Sequence, residues 1–464
     1  MLVEQTSPRI SFAAQVLFVH ILGFQVEIRT QLTEREHAAL GYPPVLAYGK
    51  VDFPADDERT LFVPAHPWMK LPVAELITRQ PEKEVDWGEH EGIRFPFFIP
   101  PIAPDNAKPP PKQLPFDPFL LCFWVAAGVD YYRDDLERDT HQRLPMAEHL
   151  VFRMGEWEAP VCHKIAALVG EHFGVGCPRG IRKLRYTIDI DQAFRYRDKT
   201  LVRRAAKFIK DLFRLNGQEI IQAMGAAMGL GKDPYYPGWE RVVKHFPPSN
   251  TYLFWLTARD TIYDQRYRPA AFKRWLRKIR DRGYECGAHP GYNAGADQAI
   301  LHRDVARLRS IGGFAVRSVR MHYGRMPTPA WTASLQKVGV EDDFSCIAIE
   351  QPGFPLGVAI PIPQYDVLND RKTGIWLHTS SLMDRTLEKY LGLSPGQALR
   401  VALDHISTLE TWGGELNLLF HNTTFADFCE WHGWWDEFVL PLITQLAKID
   451  ELHAPISGVE NANR

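Results

Sequence analysis

The sequence predicts an α/β protein: a distorted (β/α) barrel over residues 181–464, preceded by a smaller α+β domain over residues 1–180. Three observations carry that expectation. At 464 residues the chain is too long for one ordinary domain and suits two. From Gly180 onward, short apolar strands alternate with helices, the rhythm of a parallel sheet rather than a sandwich. Five strand-ending segments deliver Asp, His or Arg: 187–191 (TIDID), 289–293 (HPGYN), 320–322 (RMH), 377–379 (LHT) and 419–422 (LFHN). Strand ends converge on one face of such a barrel, so these distant residues can build one site.

In chain order, β-like runs occur at 14–22, 24–30, 60–63 and 93–99. A proline-heavy passage, 95–118, contains Pro109, Pro110 and Pro111 and cannot be a helix interior. Residues 118–132 read as a buried helix with aromatic anchors and 161–173 as a second, linked by polar 133–145. This half is expected to pack against the second half or to cover one of its rims.

Residues 184–190 then form a strand, 205–215 a helix and 252–256 a short buried strand. Residues 271–282 are an amphipathic helix, with Phe272, Trp275, Leu276 and Ile279 at i, i+3, i+4 and i+7. Its basic face, including Arg274, Lys278 and Arg282, reads as a solvated surface. Residues 285–288 lead to His289, 302–309 are helical, and 315–321 form the next strand. A helix over 329–338 stops at Gly339, and 374–377 is a strand. Ser394-Pro395-Gly396-Gln397 caps a helix through Leu399, Leu403, Ile406 and Leu409 that ends at Gly413. The strand 415–420 ends at His421.

Net charge is −2, so no global field recruits nucleic acid or an anionic membrane. The 13 Trp residues read first as large core side chains, although aromatic faces also suit sugars. Six cysteines without a CxxC pair imply reduced thiols and a cytoplasmic location. Glu4, Arg9 and His20 interrupt the N-terminal apolar run and make it a poor secretion signal. No stretch approaches the roughly 20 apolar residues of a membrane span.

Asp189 and Asp191 stand two apart in a strand and therefore share a face. Two nearby carboxylates repel unless a cation or proton lies between them. One acting as ligand and the other as base resolves the conflict. Pro290 and Gly291 fix a turn that presents His289, and Arg320 and His322 again share a face. His421 ends an apolar strand before Asn422, His378 ends another, and Asp384 precedes a helical segment as its N-cap. Singly, most read as structural, and His421 is the least easily read so. Together they suit a divalent ion bound by one carboxylate and two imidazoles, with an open position for water.

These segments resemble those of the polysaccharide deacetylases, the NodB-type carbohydrate esterases, over about residues 181–430. The resemblance implies a barrel of that type. TIDID looks like their first motif, which makes Asp189 the base and Asp191 a metal ligand. HPGYN sits where the family has a His-x-x-x-His ligand pair. Arg320 looks like the arginine that orients the catalytic Asp, and His421 like the general acid. Tyr292, His378, Asn422 and Asp384 would then contact substrate. The first half is similar to the leader domain of a less-studied branch, through Asp117-Pro118-Phe119 and Glu156-Trp157.

One departure matters: the second ligand histidine falls at Asn293. Either His322 becomes the third ligand, or the site binds metal poorly, or it is inactive. His322 is preferred, because a neighbouring strand could place it at the same cavity. The implied activity is removal of N-acetyl groups from an amino-sugar-containing glycan or glycan precursor, with Zn²⁺ held by Asp191, His289 and His322. The alternatives are a decayed carbohydrate-binding scaffold and a C–N hydrolase of a small non-sugar amide.

Overall fold

The structure, a computed structural model, describes residues 1–41, 43–51, 59–99, 112–197, 199–213, 215, 217–264, 273–326 and 331–453. Pro109–111, Ala271, Phe272, Pro329 and Ala330, used above, lie outside the described residues.

Three short parallel strands come first, β1 (Leu2–Val3), β2 (Val45–Tyr48) and β3 (Thr60–Val63), followed by a hairpin of β4 (Gly88–His90) and β5 (Ile93–Phe95). The second half contributes β6 (Ile181–Ile190), β7 (Thr251–Leu256), β8 (Glu285–His289), β9 (Ser318–Val319) and β10 (Asp342–Ile347). It continues with β11 (Ile362–Asp366), β12 (Arg371–Ser380), β13 (Leu382–Met383) and β14 (Gly414–His421). These nine form one sheet in the order β13-β14-β6-β7-β8-β9-β10-β12-β11. All neighbours are parallel except β11 and β12. The sheet curls as a half-barrel, with helices such as Gln298–Gly312, Pro395–Trp412 and Leu440–His453 among its connections.

Alternation and register place the chemistry. Every residue from Leu184 to Ile190 is buried, as expected for a parallel strand covered on both faces. Ile188 and Ile190 belong to the apolar core, whereas Thr187 and Asp189 face the barrel interior, where Arg320 bonds both. His421 stands opposite Asp189 in the β14–β6 register.

A second apolar core joins the first 169 residues to the sheet. It includes Leu356, Val358, Ile360, Ile362 and Tyr365 beside Phe12, Phe119, Phe123 and Val161. The first half therefore covers the antiparallel edge at β11, which would otherwise expose unpaired backbone groups.

Several expected elements differ. Residues 14–22 are not a strand: a helix Pro8–Ala14 continues as a π-helical turn, Gln15–Ile21. Ser7 caps it, its hydroxyl accepting from the Ile10 N–H, and Pro8 occupies the first turn. An apolar run buried on nearly all sides has no readable period, so helix and strand look alike in sequence. Residues 24–30 form no strand, apart from a bridge between Arg29 and Leu2. The helices at 201–212 and 298–312 are displaced or longer than expected. Strands β1, β2, β4, β10, β11 and β13 were not expected from the sequence. The capping box at Ser394 and Gln397 is present as expected.

Candidate active site

A cavity of about 580 Å³ opens at the strand ends, lined by Asp189, Asp191, His289, His322 and His421 among others. Each reaches it for a local reason. Asp191 immediately follows the last residue of β6 and His289 ends β8. The turn after His289 needs glycine: a Cβ on Gly291 would lie 2.3 Å from the Ala258 Cβ. The Gly291 N–H donates to buried Asp304, which fixes that turn.

Ligand-type atoms of Asp191, His289 and His322 all lie within 4.8 Å of one another. His289 Nε2 is 3.2 Å from Asp191 Oδ1, and neither atom has a hydrogen-bond partner among the described residues. Buried polar atoms are rarely left so, and these two, with His322 Nε2 3.8 Å from Asp191 Oδ1, fit a cation-binding site. The imidazoles are oriented from behind. His289 Nδ1–H donates to the Arg320 carbonyl at 2.6 Å, which aims its Nε2 lone pair at the cavity. His322 Nδ1 faces buried Asp264 Oδ1 at 3.5 Å. Burial raises the Asp264 pKa, but His322, the Tyr292 N–H and Thr261 outweigh it and hold it at about 2. Burial likewise opposes ionisation of Asp191, yet His322, His289 and His421 keep it well below the usual carboxylate range.

Arg320 is fully buried and crosses the barrel interior. Its guanidinium donates to Asp189 Oδ1 at 3.0 Å, to Thr187 Oγ1 at 2.8 Å, to Ser380 Oγ at 3.0 Å and to the Phe344 carbonyl at 3.2 Å. The Phe254 ring packs on it at 4.6 Å. Four bonds and a stacked face leave it one conformation, so Asp189 is held with Oδ2 3.7 Å from His289 Nε2.

His421 is held by Asp384, whose carboxylate accepts from the His421 N–H and Nδ1–H, each at 2.7 Å, and from the Thr424 hydroxyl. Burial lowers the His421 pKa, but Asp384, and then Asp191 and Asp189, carry it up to about 9. Its Nε2 lies 3.9 Å from Asp191 Oδ2, on the cavity side.

The structure brings six expected residues together: Asp189, Asp191, His289, Arg320, His322 and His421. The four expected substrate contacts are not among the residues that line the cavity. His378 is buried and hydrogen-bonds Asp342 at the opposite end of the barrel, stacked on Phe344 at 4.2 Å. The side chain of Asn422 donates to the Gln192 carbonyl and ties two loops. Tyr292 stacks on Tyr263 behind the cavity wall and bonds His141. Asp384 does not cap the helical turn Thr386–Tyr390, whose cap position is Arg385, and its carboxylate is occupied by His421 and Thr424. Asn293 is exposed and outside the ligand set.

Asp264, Tyr263, Tyr323, Tyr390 and Arg143 were not read from sequence. Tyr323 follows His322 with φ 63°, the left-handed region that a non-glycine residue seldom adopts, and this turn sets its ring in the cavity wall. Arg143 comes from the first half and donates to the Tyr323 carbonyl and the Tyr390 hydroxyl, both at 3.2 Å.

A family model described as a family of unknown function, DUF7033, matches residues 1–173. No curated protein matches the chain. Among solved structures, one described as a polysaccharide deacetylase from Mycobacterium smegmatis is similar over 61% of this chain and 87% of its own, at 15% identity and a TM-score of 0.37. A second, Agd3, described as a carbohydrate deacetylase, is similar over 64% of this chain and 55% of its own, at 11% identity and a TM-score of 0.30. No described helix is long and apolar enough to cross a membrane.

Proposed function

We propose that the chain is a metal-dependent amide hydrolase that removes N-acetyl groups from an amino-sugar-containing glycan. One observation carries the reading: an unpartnered carboxylate oxygen and two imidazoles converge within 4.8 Å, beside an acid and a base that are each held in place.

Asp191, His289 and His322 would hold a divalent cation, most simply Zn²⁺, which supplies Lewis acidity and lowers the pKa of a water from about 16 toward roughly 7. Asp189 takes the proton of the attacking water. Its Oδ1 is committed to Arg320, which leaves Oδ2 facing His289 and the cavity. The water oxygen bonds to the acetyl carbon and the C–N bond breaks. His421 Nε2–H protonates the departing amine, while Asp384 holds Nδ1–H and stabilises the imidazolium. The products are acetate and a free amino sugar. General acid–base help of this kind is worth about 10² to 10⁴-fold.

The reading is tested by metal analysis of the purified protein and by acetate release from chito-oligosaccharides, with and without chelator. Stoichiometric metal and chelator-sensitive acetate are expected. A protein prepared without chelator that carries no metal, or that releases no acetate from any amino-sugar glycan, overturns it. A decayed scaffold draws its support from Asn293, and that side chain is outside the site.

A further inference from the structure

The loop between β6 and β7 carries two helices, Leu201–Leu212 and Gly217–Met228, that pack together as a hairpin. The first helix is inverted. Its inward face is Arg204, Lys207, Phe208 and Asp211, spaced i, i+3, i+4, i+7. Asp211 is buried and pairs with Arg195 and the Tyr196 hydroxyl at the foot of the hairpin. Apolar side chains point outward instead. Phe213 is 91% exposed, Val202 79%, Leu201 75% and Ile209 59%. The second helix repeats the pattern, with Ile221 68% and Met228 56% exposed and Glu219, Ala223 and Ala226 inward. Large apolar side chains exposed together on one hairpin mark an interaction surface more often than scattered single ones do.

Charge selects the occupant. Residues 197–232 hold eight Lys and Arg against three Asp and Glu, although the whole chain is at −2. The overall charge therefore conceals a local basic surface: among the described residues of this segment the exposed charges are Arg197, Arg203, Lys210 and Lys232. Two copies meeting through this patch would bring like charges together, which opposes self-association. Apolar stripes flanked by Arg203 and Lys210, on helices of 12 residues, are the composition of elements that lie in a lipid interface without spanning it.

We propose that this hairpin docks flat on an anionic lipid surface with its apolar stripes inserted. Arg195, at its foot, touches Phe428 and Cys429, next to Glu430 of the cavity wall. Docking therefore holds the cavity close to the lipid. On the deacetylase reading, the substrate met there is a glycan carried on a lipid.

The test is co-sedimentation of the full chain with vesicles of phosphatidylcholine alone or with added phosphatidylglycerol. Binding is expected to the anionic vesicles and to weaken as salt rises. Ile209→Asp together with Phe213→Asp should reduce it about tenfold or more, with no loss of thermal stability because both positions are exposed. No sedimentation with either vesicle overturns the proposal, as does equal binding of the variant. So does a lipid-free dimer, seen by sedimentation velocity, that the same variant dissociates; that result assigns the patch to a second copy. The readout is binding alone, so it stands or falls separately from the hydrolase reading.

Discussion

Alternation along β6 turns Asp189 and the following Asp191 toward one cavity, and their neighbours then separate them. Asp189 is tied to a guanidinium with one conformation, whereas Asp191 Oδ1 has two imidazoles before it and no hydrogen bond. Asp189→Asn keeps the size and the Arg320 contact but removes the base. Turnover should fall by about 10² to 10⁴-fold or more while metal content stays nearly intact. Metal analysis alongside acetate release checks this, and loss of the metal would make Asp189 a ligand. His322→Ala should abolish stoichiometric metal binding, and Asn293→Ala should not alter it, because only His322 faces Asp191. The reverse result would return Asn293 to the site.

At the scale of elements, strands carried their chemistry visibly and loops did not. Asp189, His289, Arg320 and His421 end apolar runs, so period and residue type alone located them. Asp384 and Asp264 sit in aperiodic segments, and their roles exist only once His421 and His322 arrive from other elements. His378 shows the converse error: it is on an inner strand, but faces Asp342 at the far end of the barrel. The polar link 133–145 hid another site residue. Asp139 binds the Arg143 guanidinium at 2.7 Å, and Arg143 then reaches Tyr323, Tyr390 and the cavity wall. On the hydrolase reading Arg143 faces the substrate, and a charged donor lost there costs roughly 1.5–3 kcal/mol. Arg143→Ala should therefore raise KM about tenfold or more with a smaller change in kcat, and Arg143→Lys should recover part of it. Steady-state acetate release decides; an equal loss in kcat with KM unchanged would make Arg143 a positioning residue.

At the scale of the whole molecule, one of the contacts that fasten the first half to the sheet needs a neutral imidazole. His163, on the helix Val161–His172, donates from Nδ1–H to the Trp412 carbonyl at 3.1 Å and accepts at Nε2 from the Ala359 N–H at 3.1 Å. An imidazolium has no acceptor, so protonation sets Nε2–H against the Ala359 N–H. Burial holds the His163 pKa down at about 4, against about 6.5 when unfolded. The unfolded chain thus binds this proton more readily. The stabilisation is complete above about pH 6.5 and is lost as pH falls toward and through about 4, an effect of roughly 3 kcal/mol. Buried His149 and His405 are also held at about 4 and add to the slope, whereas buried Asp117, pushed up to about 6, opposes it. Melting temperature should therefore drop between pH 7 and pH 5. Hydrogen exchange should report opening first around the helix Val161–His172 and β11. His163→Gln can keep both hydrogen bonds without titrating, so it should flatten the pH dependence; an unchanged slope in that variant would move the acid sensitivity away from this junction.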